Sequence, residues 1–453
     1  MNYDIMQELN NWVQMIDGWL WSWPLIIFVI GIGLFFTFQL KFLQFRYFVQ
    51  SWKYLVKGVD SGKQAGNCMT PFQAFLNILS ASIGNGSIAG MSTAIVCGGP
   101  GAAFWIFVLG LLYLVIRYAE VYLSTAFYEE TSPGVVRGGP MVYLKKVPGG
   151  KTLAYFYALL LLLFTIVTGN GMQCNSITLS VQKLTNMPLY VIGLILFCLI
   201  LYITFGGAER ILKVSEALAP IKVTLFVIPT IIALVYHYQS LWPALKTIIG
   251  YALTPQAFAA GVVGFSVQQA IRFGMVRTIN STEVGLGTAG IFYGSTQTKA
   301  PVESSIMSMT TAFVATYGVG FMIMLLLVAS GVWNSGATSS LLTMQAYATV
   351  FGIFGEIIVA FLAIAFGAGV LVGYAYIGRE CWAYVTGGRL MWLYTSIYAA
   401  MAFFGSLAKV DLIWNATGIL NAGLLIINLC AIVYLSSYVK KGFVDWQQVK
   451  NTH

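Results

Sequence analysis

The chain has 453 residues, 58% of them hydrophobic and 15% aromatic, while only 9% carry charge, 24 Lys and Arg against 15 Asp and Glu. Ordinary globular domains carry about a quarter charged residues, so most of this surface must be solvated by lipid, which excludes a water-soluble enzyme, a disordered chain and a collagen. Six Cys without a CxxC pair exclude a disulfide scaffold and read as small apolar packing residues.

A helix needs about 20 apolar residues to cross a bilayer. Such runs predict about eleven spans, near 20–40, 71–96, 102–127, 153–179, 189–204, 214–236, 258–273, 306–332, 347–377, 391–407 and 412–438. Asp4, Glu8 and Asp17 precede the first run and no basic region does, so no secretory signal is expected. The stretch 41–69 interleaves Lys41, Arg46, Lys53, Lys57 and Lys63 with Phe42, Phe45, Tyr47, Phe48, Trp52 and Tyr54. It predicts an amphipathic helix on the inner interface.

With the N-terminus outside, nineteen of the basic residues fall on the cytoplasmic side and only Lys183, Lys246 and Lys409 outside. Arg117 and Lys222 fall within spans, towards their cytoplasmic ends. This asymmetry predicts an N-out, C-in multi-pass protein of the plasma (inner) membrane. The net charge of +9 is therefore an orientation signal, and no nucleic-acid partner is expected. No loop is long enough for an extramembrane domain, and the two His, His237 and His453, lie outside the spans. A His-based metal centre or triad has no support, so an enzyme is not expected.

Two spans are interrupted by small and polar residues. In the second, Ser80, Ser82, Gly84, Asn85, Gly86, Ser87 and Gly90 crowd into eleven positions, and in the seventh, 259–269 carries Gly261, Gly264, Ser266, Gln268 and Gln269. In lipid, backbone groups can be left free only beside a cavity, so each reads as a broken helix or, for Gly86 and Gly90, as close small-xxx-small packing. The interruptions sit five spans apart. Setting aside the extra helix at 20–40, the chain divides into two five-helix sets, 71–236 and 255–438, each opening with a break. That is an all-α, 5+5 inverted-repeat layout with a substrate at the midplane. A break offers N–H groups and a partial positive charge to an anion, and carbonyls to a cation. A zwitterionic amino acid uses both. A channel is the rival class, but no repeated filter motif is visible.

The segment Ile83-Gly84-Asn85-Gly86-Ser87-Ile88-Ala89-Gly90, then Gly98-Gly99-Pro100-Gly101, Gly138-Gly139-Pro140, Gly169-Asn170-Gly171-Met172-Gln173, Phe205-Gly206-Gly207, Arg277 and Glu283-Val284-Gly285-Leu286-Gly287, with Trp414, Asn421 and Asn428, resembles the alanine or glycine:cation symporter family over about 20–438. The resemblance implies a leucine-transporter type of fold that carries alanine or glycine with Na+ or H+ and no cofactor. It further implies that Gly84, Asn85, Gly86 and Ser87 surround the substrate carboxylate, that Asn170 and Gln173 supply polar contacts, and that Phe265 and Tyr374 bound a small side-chain pocket. Ser82 is a candidate for cation or proton coupling. The chain departs from the family at Ser87, where Asn is usual, at Ala315, where an Asp is expected, and at Gly369 and Val370, in place of a hydroxyl pair. Hard cations need such oxygens, so a proton-coupled or uncoupled transporter of the same fold is the alternative.

Membrane carboxylates are the other place for coupling. Glu356, flanked by apolar residues and Gly, is a candidate proton carrier or an interfacial carboxylate. Glu120 is expected to pair with Arg117 three residues before it. Glu216 and Glu283 each follow an Arg (Arg210, Arg277) by six residues, and the Glu283–Arg277 pair is a candidate inner gate.

Overall fold

The computed structural model describes residues 2–59, 69–132, 135–253, 267–296, 298–408 and 410–452. Helix α1 (Asn2–Leu20) meets α2 (Trp23–Gln39) at a 42° bend. Ser22 is extended there, and Pro24 sits in the first turn of α2, where its missing N–H is no loss. The expected amphipathic stretch contains α3 (Phe48–Lys57); 60–68 lie outside the described residues.

Helix α4 (Pro71–Ser82) opens on a capping box. Gln73 N–H donates to the Thr70 hydroxyl (3.1 Å), and Thr70 N–H to the Gln73 side chain (2.9 Å). The helix stops at Ile83 and resumes as α5 (Ala89–Gly98) after one 3-10 turn, Asn85–Ser87. Then come α6 (Gly101–Ala126), a hairpin of β1 (Glu129–Ser132) and β2 (Val135–Arg137), α7 (Gly150–Thr185), α8 (Leu189–Phe205), α9 (Gly207–Tyr236) and α10 (Tyr238–Leu253). Beyond 254–266 follow α11 (Val267–Thr282), α12 (Thr288–Gly294), α13 (Pro301–Ala329), α14 (Ser339–Phe351), α15 (Ile353–Thr386), α16 (Met391–Leu407), α17 (Val410–Tyr434) and α18 (Ser436–Thr452). Helices α7 and α13 each contain a π-helical stretch, Thr165–Met172 and Val314–Phe321.

Among the described residues, six helices are long and apolar enough to cross a membrane, or seven if the α1–α2 pair is one span. Helices α8 and α16 are apolar at 17 residues each, the short end of the spanning range. Along α8, Tyr190, Leu194, Ile195, Leu199, Tyr202 and Phe205 are all exposed, a face that suits hydrocarbon and not water.

Two predicted spans are corrected. The run 347–377 is two helices, α14 and α15. Gly352 turns the chain at φ 58°, and a Cβ on Gly355 would lie 2.5 Å from the Tyr347 backbone, so the glycines allow a tight corner that hydropathy alone does not reveal. The seventh span extends to Thr282, past the expected end at 273. Arg272 and Arg277 are therefore helical and do not lie in an inner loop. Arg272 pairs with Asp17 of α1 at 3.5 Å, and Arg277 is near Asp17 and Cys97, at the N-terminal helix's end of the bundle.

Candidate substrate site at two helix breaks

The second interruption that faces the first is Glu283–Gly287, between α11 and α12. The expected break at 259–269 lies largely outside the described residues, and 267–269 are helical. Gly285 and Gly287 take φ of 83° and 90°, which glycine adopts freely, and Glu283 takes 57°, a strained value costing about 1–3 kcal/mol. The two breaks touch: the Ser87 and Ser281 hydroxyls are 2.9 Å apart, and Gly86 faces the Asn280 carbonyl.

Away from water, the main-chain groups a break frees need partners. At the second break other helices supply them. Arg117 donates to the Thr282 carbonyl (2.5 Å), Gly285 N–H donates to Glu120 (2.9 Å), Asn428 donates to the Gly285 carbonyl (2.8 Å), and the Tyr157 hydroxyl donates to the Leu286 carbonyl. Arg117 and Glu120 form the expected pair at 3.3 Å, both fully buried. At the first break, Asn85 N–H donates to Gln173 Oε1 (3.1 Å), and Lys222 Nζ donates to the carbonyls of both Ser80 and Ile83 at 2.5 Å.

Between the breaks lies a narrow cavity lined by Ala81, Ser82, Gly84, Gly86, Phe164, Thr168, Met172, Gln173, Asn280, Glu283, Val370 and Tyr374. The π-helical stretch of α7 turns Thr168 and Met172 towards it, a common use of such stretches. Glu283 is only 3% exposed. The Tyr374 and Thr288 hydroxyls both lie against its carboxylate, and Oε2 makes no hydrogen bond of normal geometry among the described residues. Asn280 is fixed from behind by Asn421, and Thr168 by Thr417 at 3.0 Å.

The structure thus gathers Ser82, Gly84, Gly86, Gln173 and Tyr374 around one cavity, and adds Glu283. It does not gather Asn85, Ser87 or Asn170 there by their side chains. Asn85 donates to the Ala363 carbonyl (3.1 Å), Ser87 is tied to Ser281, and Asn170 donates to the Tyr398 carbonyl (2.6 Å), so all three hold helices together. The Ser82 hydroxyl bonds the Ile78 carbonyl at 2.8 Å. Phe265 lies outside the described residues.

Three expectations for charged groups are corrected. Glu283 lines the cavity while Arg277 lies near Asp17, so they are not a gate pair. Glu216 accepts from Asn77 (3.0 Å), whereas Arg210 donates to the Tyr202 carbonyl (3.0 Å). Glu356 is not buried among apolar groups but sits as an interfacial carboxylate, paired with Lys183 at 3.1 Å, with side chains 30% and 38% exposed. Such partly exposed pairs are worth about 0–1 kcal/mol. Glu356→Gln is therefore expected to leave substrate uptake and its pH profile within about two-fold of wild type, as measured in liposomes.

Sequence reasoning missed Phe164, Thr168, Met172 and Asn280, which carry no distinctive signal, and noted Val370 only as a departure from the family's hydroxyl pair. It also missed the place of Lys222, although a lysine inside an apolar span was a signal in plain view.

Two broken helices side by side around a narrow buried cavity that holds a carboxylate, inside a bundle with lipid-suited outer faces, define a polytopic membrane transporter. A substrate-bound, outward-open Na+-coupled sialic acid symporter superposes on the chain with a TM-score of 0.54 at 14% identity, covering 94% of this chain and 86% of that one, which shows the fold. The chain belongs to the sodium:alanine symporter family, whose model matches residues 6–453. A transporter of Haemophilus influenzae, described as uncharacterized, is 34% identical over 452 residues, 98% of each chain. The sodium/alanine symporter AgcS of Methanococcus maripaludis is 28% identical over 94% of this chain and 95% of its own.

Proposed function

We propose that the protein imports a small neutral amino acid, alanine or glycine, by cation symport, through alternating access to the cavity between the two breaks. The observation that carries this reading is the buried Glu283 carboxylate, with one oxygen that makes no hydrogen bond of normal geometry among the described residues, facing the small-residue turn Gly84–Ser87. The substrate ammonium pairs with Glu283. Its carboxylate meets the N–H end of the turn that leads into α5, where the helix dipole places about half a positive charge. Ala81, Gly84, Gly86, Thr168, Met172 and Val370 leave little room for a side chain.

The two sets, 71–236 and 255–438, act as the moving repeats, with 20–40 an added helix. The protein sits in the plasma (inner) membrane with its N-terminus outside. Moving Arg272 and Arg277 still leaves seventeen basic residues on the inner side, so the charge asymmetry supports that orientation.

The test is purified protein in liposomes with a panel of labelled amino acids. Saturable uptake and counterflow of alanine and glycine are expected, with leucine and glutamine poor competitors. One methylene is worth only about 1–3 kcal/mol, so alanine and glycine should differ by no more than about 200-fold. Faster uptake of the larger amino acids would refute the substrate assignment, and non-saturable flux would indicate a channel.

A further inference from the structure

Lys222 lies near the middle of the 30-residue α9 and is fully buried, so its amine cannot reach water by extending along the helix. Its Nζ instead enters the first break and donates to the Ser80 and Ile83 carbonyls at 2.5 Å each. On the opposite side is Gly369 of α15, where a Cβ would lie 2.7 Å from Nζ. The Phe366 ring stands 5.8 Å away, a favourable neighbour for a cation.

Three elements thus meet at one ammonium: the end of α4, the middle of α9 and the middle of α15. The Ser80 hydroxyl is turned to the Gly369 carbonyl (3.4 Å), and positions 369 and 370 are Gly and Val, so neither offers a hydroxyl. The carbonyls of Ser80 and Ile83, oxygens that could hold a sodium ion, are already taken by the Lys222 amine. Their place is filled by a cation that the chain itself carries.

Resting on the reading of the protein as an amino-acid symporter, we propose that Lys222 is the resident cation of the first break and the binding site of the coupling ion, a proton. The protonated amine ties α4 to α9 through charge-assisted bonds, which are roughly twice as strong as those of a neutral donor. The proton is taken up from the outer side with the substrate. Its release to the inner side leaves a neutral amine, loosens α4 from α9 and frees the inner half of the first broken helix to move.

The groups facing Lys222 suit this role. Helix α4 presents no charged residue, and α15 presents Phe366 and Gly369. On α9 itself Glu216 is held by Asn77, and on α14 Tyr347 is bonded to Thr230. Glu283, from the second break, is the charged group that acts on Lys222 electrostatically. Substrate and proton therefore sense each other through one carboxylate.

The experiment uses wild-type protein in liposomes loaded with a pH-sensitive dye, with labelled alanine and glycine outside. Replacing sodium by choline should leave uptake within about two-fold, an inward proton gradient should drive accumulation several-fold above equilibrium, and the lumen should acidify as substrate enters. Lys222→Met should lose both accumulation and acidification. Wild-type uptake that requires sodium and moves no protons would overturn the proposal, as would full acidification by Lys222→Met. The wild-type result decides the question even if that variant does not fold. Uptake driven by sodium alone would sink this proposal and spare the substrate reading, whereas no uptake or counterflow under any gradient would sink both.

Discussion

Glu283→Gln is expected to abolish high-affinity uptake while leaving the protein folded. Glutamine fills the same volume beside Tyr374 and can still bond its hydroxyl, so packing is kept and only the charge is lost. Removing one partner of a buried charge pair costs about 2–5 kcal/mol, a factor of roughly 30 to several thousand in substrate affinity. The measurement is the concentration dependence of labelled alanine uptake, with size-exclusion behaviour as the folding control. Lactate, which has the carboxylate but not the ammonium, gives a second readout. It should compete poorly with alanine in wild type and lose that disadvantage in the variant. An affinity for alanine within about three-fold of wild type would remove Glu283 as the ammonium partner.

Gly84→Ala is expected to be nearly as damaging, for a steric reason that can be reversed. A Cβ there would lie 2.5 Å from Val370 Cγ2 and 3.2 Å from Gln173 Oε1. Val370 is β-branched and buried, so it cannot simply swing aside, and overpacking of this kind costs about 1–3 kcal/mol. Uptake should fall by roughly 10- to 100-fold. Val370→Ala removes the opposing methyl groups, and the double variant should recover most of that loss. The interaction energy of the double-mutant cycle is the quantity to measure. If Val370→Ala gave no recovery, the collision would not be the cause. Gly86 provides the contrast, because a Cβ there meets nothing nearer than the Asn280 carbonyl at 3.5 Å.

Much of the fold was legible in the sequence because lipid imposes a simple rule: apolar runs long enough to cross, separated by charge. The first break was legible for the same reason, since glycine, serine and asparagine are conspicuous inside such a run. The break at Glu283-Val284-Gly285-Leu286-Gly287 was passed over because Gly261, Gly264 and Gln268, inside the apolar run, interrupt it more conspicuously than a stretch just beyond its end. What decides that position is the set of side chains that bind it, Arg117, Glu120, Tyr157 and Asn428, scattered over three other helices and invisible to any local window. Asn170 shows the limit of motif reading: it sits two residues from cavity-lining Met172, yet bonds the Tyr398 carbonyl. Glu356 shows the limit of composition, because apolar neighbours along the chain do not reveal Lys183 across the corner.

The close approach of Gly369 to Lys222 makes the two positions interdependent. Nζ ends a flexible chain, so a side chain at 369 is not forbidden, but accommodating one would pull the amine off the Ser80 and Ile83 carbonyls. Across related chains, lysine at the position of Lys222 should therefore occur with glycine at that of Gly369, and a hydroxyl in place of Gly369 with a residue other than lysine in place of Lys222. Such covariation is a two-letter signature, and it would divide relatives by coupling ion before any of them is purified.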